Sequence, residues 1–181
     1  MTADPEAPRP SRVDLRRFKQ AMATFPTGVA VVTAMAADRP VGFTCQSIVS
    51  LSLDPPYVAL APAKSSTSWP AIARAGTFCV NVLSARQAEL ARRFARSGVD
   101  KFGGVSWRPS PSGAPLLEGA LAFVECAMEL VHDAGDHEIV IGRVRQVSLG
   151  ELSAGPLVFY RSEYRRLEQP AGEDAGESAS S

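Results

Sequence analysis

Apolar and polar positions change period several times along this chain, and each change marks an element. Between Asp14 and Pro26, residues Leu15, Phe18, Met22 and Phe25 recur at intervals of three and four, the spacing of one helical face, and Asp14 is placed to cap the first turn. Pro26 ends that helix. The β-branched run Val29 to Met35 (VAVVTAM) predicts a strand, and Ala37-Asp38-Arg39-Pro40 a turn that leads back into a second arm. That arm opens Gly42 to Pro56 (GFTCQSIVSLSLDPP), where Thr44, Gln46, Ser47, Ser50 and Ser52 are set among Ile48, Val49, Leu51 and Leu53. A surface loop would be more polar and a core strand more aliphatic. The mixture predicts a strand and its leading loop that line a site.

Tyr57 to Ala61 resumes as a buried strand, and Pro62 to Thr67 (PAKSST) forms a polar loop. Ser68 is placed to cap a short helix through Trp69, Ile72 and Ala75, closed by Gly76 where a left-handed residue is favoured. Thr77 to Leu83 alternates as a strand. Ser84 and Gln87 make a serine-x-x-glutamine capping pattern ahead of Leu90, Ala91 and Phe94. Residues 97–115, rich in Gly, Pro and Ser, read as a long loop carrying Lys101, Phe102 and Trp107, expected to lie over a site or a partner chain. Leu121 to Val131, Glu138 to Leu149 and Leu157 to Leu167 read as three further strands. The segments 1–12 and 169–181 have nothing to bury and are expected to be disordered tails around one domain, 13–168. With six or seven strands in adjacent pairs, the expected fold is mainly β: an antiparallel barrel with peripheral helices.

Composition narrows the function. Nineteen acidic and nineteen basic residues leave no net charge, so nothing suggests a nucleic acid or an anionic membrane as partner. No secretory signal or run of about 18 apolar residues is visible, which makes the cytoplasm the expected setting. Cys45, Cys79 and Cys126 are an odd count without CxxC spacing, consistent with buried reduced thiols and with no metal site. His132 and His137 are five apart, which does not put both on one face of a strand. There is no GxGxxG or GxxxxGK[ST] run to hold a dinucleotide in the Rossmann or P-loop way.

The ordered motifs TGVAVVT, GFTCQSIVSLSLDPP, FCVNVL, DKFGGV, GDHEIVIGRV and LVFYRSEY together resemble the short-chain flavin reductases that supply reduced flavin to two-component monooxygenases. The likeness runs from Phe18 to Leu167. It implies a split β-barrel homodimer with FAD or FMN in a groove, NADH (or NADPH) as co-substrate and a separate monooxygenase as recipient, in aromatic or steroid breakdown or in natural-product synthesis. Carried over by residue, it places Thr27, Thr44, Cys45, Gln46, Ser47, Ser50, Leu51, Ser52 and Ala61 along the flavin. Lys64, Ser65 and Ser66 fall near its phosphate, with Lys101 and Phe102 at the phosphate or adenine end. His137 is expected beside the nicotinamide, with Tyr160, Arg161, Ser162 and Tyr164 lining that pocket. Cys45 and Gln46 stand where many relatives have small residues or Asn.

Hydride transfer between two flat heterocycles needs close stacking and hydrogen bonds to the rings more than a nucleophile, and small hydroxyl and amide groups suit that work. Two other readings keep the same barrel. One is a non-catalytic flavin or haem carrier. The other, an oxidase of a phosphorylated pyridine, would need a basic cluster that the central motifs lack.

Overall fold

The computed structural model of the chain describes residues 13–167; both expected tails lie outside the described residues. Helix α1 (Leu15–Ala23) is followed by β1 (Thr27–Gly28), β2 (Ala30–Ala36), β3 (Arg39–Cys45), β4 (Val49–Leu53) and β5 (Pro56–Leu60). Next come α2 (Trp69–Ala75), β6 (Thr77–Val82) and α3 (Ala88–Ala95). The chain continues through β7 (Trp107–Pro109), β8 (Pro115–Leu117), β9 (Ala122–Ala134), β10 (His137–Leu149), β11 (Leu157–Tyr160) and β12 (Glu163–Arg166).

Seven strands form one sheet in the order β3-β2-β6-β9-β10-β5-β4, with every pairing antiparallel. A three-stranded sheet, β1-β11-β12, and the β7–β8 ribbon complete the strands. The fold is thus mainly β, antiparallel, with short helices at its periphery, as the adjacent strand pairs predict. One core cluster, centred on Val32, Phe43, Leu60, Ile72, Phe78 and Val140, lies between the large sheet and α2. A second gathers Val29, Val31, Leu83, Phe94, Leu117 and Leu157.

Local chemistry accounts for the boundaries. Asp14 Oδ1 accepts from the Arg16 and Arg17 backbone N–H groups, the expected cap. Gly76 closes α2 at φ 71°. Ala37 and Asp38, at φ 47° and 62°, make the tight turn between β2 and β3. In the interior, Asn81 Nδ2 donates to the Val31 carbonyl at 3.1 Å and to Thr33 Oγ1 at 3.0 Å, while its Oδ1 accepts from Leu117 N–H. This satisfied polar knot ties three elements in register.

Four expectations are corrected. The Leu157 to Leu167 stretch is a hairpin, not one strand, because Arg161 and Ser162 adopt φ 49° and 63° between β11 and β12. Ser68 does not cap α2; its hydroxyl accepts from Lys101, and Ser66 Oγ receives the Trp69 N–H instead. Residues 97–115 are not all loop, since Trp107–Pro109 pairs with Pro115–Leu117. Gln87 does reach back to the Ser84 N–H at 2.9 Å, but the helix begins only at Ala88.

Candidate functional site

A groove of about 960 Å³ runs between the β3–β4 loop, the end of β5, the 61–66 loop and α3. It brings together Thr44, Cys45, Gln46, Ser47, Ala61, Ser65, Ser66, Lys101, His137 and Tyr164, ten residues that sequence reasoning had placed at the site. A second groove of about 880 Å³ adjoins it through Gln46 and Ser47 and adds Thr27 and Ser162. Phe18 and Met22 line both.

Several hydroxyls expected to face a ligand are committed to the protein. Thr44 Oγ1 donates to the Ala91 carbonyl at 2.6 Å and so ties β3 to α3. Ser47 Oγ accepts from the Ala61 N–H at 2.9 Å and lies 3.1 Å from the Ala61 carbonyl, which fixes the loop against the end of β5. The Cys45 sulfur sits 3.3 Å from that same hydroxyl; burial pushes its thiol pKa up, opposed in part by Ser47. These contacts shape the wall. They leave fewer hydrogen-bonding arms free than the sequence suggests.

Two atoms are poised for something outside the protein. Among the described residues, Lys101 Nζ, in the groove wall, donates only to the Gly42 carbonyl and to Ser68 Oγ, each at 3.0 Å, and burial lowers its pKa. A half-buried cation with neutral partners favours an anion, and Ser65 and Ser66 line the same groove. Thr27 Oγ1, on the adjoining wall, is buried with no hydrogen-bond partner among the described residues, a state that costs about 1–3 kcal/mol until a partner arrives. Concave apolar walls, a few small polar groups and a half-buried cation with neutral partners fit a planar phosphorylated ring system such as a flavin.

His137 opens β10 at the groove rim, and its Nδ1 lies 2.7 Å from Asp136 Oδ1, a contact that holds the Asp136 carboxyl below its usual range. Tyr164 stacks edge-on to Phe159 at 5.2 Å and lies under the Arg92 guanidinium at 5.1 Å, so the β11–β12 hairpin is pressed onto α3.

Other expected residues lie elsewhere. Phe102 belongs to the second core cluster, between Phe94 at 4.9 Å and Trp107 at 6.3 Å. Lys64 Nζ is turned away to Asp133 Oδ2 and to the Gly135 carbonyl. Ser50, Leu51 and Ser52 are on β4, the edge strand, and line neither groove. Tyr160 and Arg161 also stand outside both, with the Arg161 guanidinium 5.2 Å from the Tyr160 ring. Missed were Phe18 and Met22 of α1 and Phe43, Phe94 and Ser97. The available signal was the helical stripe of α1, none of whose residues is buried.

Comparisons with known proteins agree with this geometry. The model of the flavin reductase like domain matches residues 22–168. The reductase subunit HsaB of a flavin-dependent monooxygenase from Mycobacterium tuberculosis is 45% identical over 159 residues, 87% of this chain and 85% of that protein. The crystal structure of a nitrilotriacetate monooxygenase component B homologue from Mycobacterium thermoresistibile superposes with a TM-score of 0.83 at 43% identity, covering 91% of this chain and 96% of the other. An NADH:FAD oxidoreductase of Streptomyces globisporus, solved with NAD and FAD fragments, gives 0.81 at 36% identity over 88% and 96%. With the matched domain holding every lining residue of both grooves except Phe18 and Lys19, and nearly all of the described residues, the chain belongs to the flavin reductase family and is a flavin reductase.

Proposed function

We propose that the enzyme uses NADH to reduce free FAD or FMN and passes the reduced flavin to a separate monooxygenase. The observation that carries this reading is the single groove lined by Lys101, Ser65 and Ser66 together with Gln46, Ser47 and His137. The bound rings supply the hydride chemistry; the chain's residues bind and align them. Lys101 holds the flavin phosphate, and Thr27 and Gln46 offer polar contacts to the ring or ribityl chain. His137 and Tyr164 position the nicotinamide. The relatives support the choice of co-substrate and recipient: one is named as the reductase subunit of a monooxygenase, and another was solved with NAD and FAD fragments.

The working unit we infer is a homodimer. Leu15, Phe18 and Met22 leave the stripe of α1 uncovered, with Phe25 just beyond its end, and Val49, Leu51 and Leu53 do the same along β4. Apolar surface of that extent on two adjacent elements calls for a partner. A second copy would cover it and place Ser50, Leu51 and Ser52 at the boundary. No helix among the described residues is long and apolar enough to cross a membrane. A cytoplasmic setting, where NADH and reduced thiols are found, suits the activity.

The test is anaerobic mixing of purified protein with NADH or NADPH and with FAD or FMN. Bleaching of flavin absorbance with NADH is the expected result. A tightly retained chromophore without nicotinamide oxidation would instead mark a carrier. Light scattering during size exclusion should give twice the monomer mass, and Leu53→Glu should reduce it.

A further inference from the structure

The tip of the β9–β10 hairpin depends on one loop for its placement. Strand β5 pairs with β10 only at Val140 to Arg143, so among the described residues His137, Glu138 and Ile139 have no second neighbouring strand. The 62–64 loop takes that place. Lys64 N–H donates to the Asp136 carbonyl at 3.0 Å, Glu138 N–H to the Pro62 carbonyl at 3.1 Å, and Ala63 forms an isolated bridge with His137. Side chains close the clamp from both ends. Trp69 Nε1 donates to Glu138 Oε2, while Lys64 Nζ crosses the tip to reach Asp133 Oδ2 at 2.5 Å and the Gly135 carbonyl at 2.7 Å.

We propose that Lys64, anchored by Asp133, is a positioning residue for His137 and not a ligand of the flavin phosphate. This rests on the flavin reductase reading above and deepens it. The two lysines near the groove differ in what surrounds their charge. Asp133 neutralises Lys64, and two of its three N–H donors are used on the hairpin. Among the described residues, Lys101 meets only neutral acceptors and keeps its charge available. Lys64 therefore staples the end of β9 and the turn of the hairpin to the loop that carries Ser65 and Ser66. The loop at the phosphate end thereby sets where the imidazole stands at the nicotinamide end.

The test uses Lys64→Met, Asp133→Asn, the double variant and Lys64→Arg in the full chain. Dissociation constants for FMN and for riboflavin, which lacks the phosphate, are measured beside KM and kcat for NADH. Either single substitution should raise the NADH KM about five-fold with kcat changed less than two-fold, and the double should be no worse than the larger single. Lys64→Arg should restore most of the affinity, and the ratio of FMN to riboflavin affinity should stay at the wild-type value. Amide hydrogen exchange at residues 134–138 should quicken in Lys64→Met, a readout independent of turnover. Selective loss of FMN affinity would make Lys64 a phosphate ligand and overturn the proposal, as would unchanged exchange at the tip or an unchanged NADH KM in an active enzyme. Wild-type protein that reduces no flavin would sink the functional reading alone, and the exchange result would still decide the role of Lys64.

Discussion

Lys101 Nζ donates to Ser68 Oγ at 3.0 Å, so the groove's cation is held in place by a hydroxyl that α2 would otherwise use as its cap. Replacing that charge should cost the phosphate interaction while leaving the ring contacts. Lys101→Met is expected to weaken FMN binding about ten-fold or more, the scale of one charge-assisted contact of about 1.5–3 kcal/mol. Riboflavin affinity should change little. Because burial lowers the Lys101 pKa, the proton that favours phosphate leaves below the ordinary lysine value of 10.5. The preference for FMN over riboflavin should therefore fall as pH rises into that range, and fluorescence titrations of both flavins across pH 7–10 would check it.

Glu125 fastens the segment before β8 to the barrel. Burial alone would raise its pKa, but the Ser110 and Ser112 hydroxyls and the Ser112 N–H outweigh it and leave the carboxyl below its usual 4.5. A depressed pKa in the folded state means stabilisation that is complete above the unfolded value and lost as pH falls through the folded one. Glu125→Gln is expected to cost about 1–2 kcal/mol at pH 7, a few degrees in Tm. Melts from pH 7 down to pH 3 should show the gap between wild type and variant closing below about 4.5. A gap independent of pH would mean that the charge is not what the serines recognise.

Gly142 on β10 has no room for a methyl group. A Cβ there would lie 2.6 Å from Phe78 Cζ and 3.0 Å from Cys126 Cβ, and Phe78 is fully buried. Gly142→Ala should destabilise by about 1–3 kcal/mol through overpacking. Flavin reduction well below Tm should be unchanged, because the clash is in the core and not in the groove. Denaturant midpoints and anaerobic assays together separate the two effects.

Burial, with Glu125 adding to it, pushes the Cys79 and Cys126 thiols up to about 12. Cys45 is also raised and only 4% exposed. A maleimide reagent at pH 7.5 should modify none of the three quickly in native protein and all three in denaturant. Fast native labelling would show that the groove wall around Cys45 opens.

Periodicity made the architecture readable where burial is one-sided. The α1 stripe, the β2–β3 hairpin, Asp14 and Gly76 each follow from residue types with one strong local preference. The β11–β12 turn was hidden because neither Arg161 nor Ser162 is the Gly, Asn or Asp that positive φ favours, and tertiary contacts help hold the turn, among them the Arg161 N–H to the Ala23 carbonyl at 2.9 Å. The site's location was legible from Thr44 to Ser47 and from the lysine-serine loop. The use of its groups was not. Whether Thr44 faces a ligand or Ala91, and whether Lys64 meets phosphate or Asp133, depends on elements 47 and 69 residues away in the chain.

The short strand β1 has a further consequence for biosynthesis. Thr27 and Gly28 find their partners only at Phe159 and Val158, and Leu83 is bonded both to Val29 behind it and to Leu157 ahead. On the ribosome, the early residues must wait through more than a hundred codons before that small sheet can close. Tyr164 joins the groove wall later still, so the nascent enzyme should be unable to hold its substrates until translation of this domain is almost over.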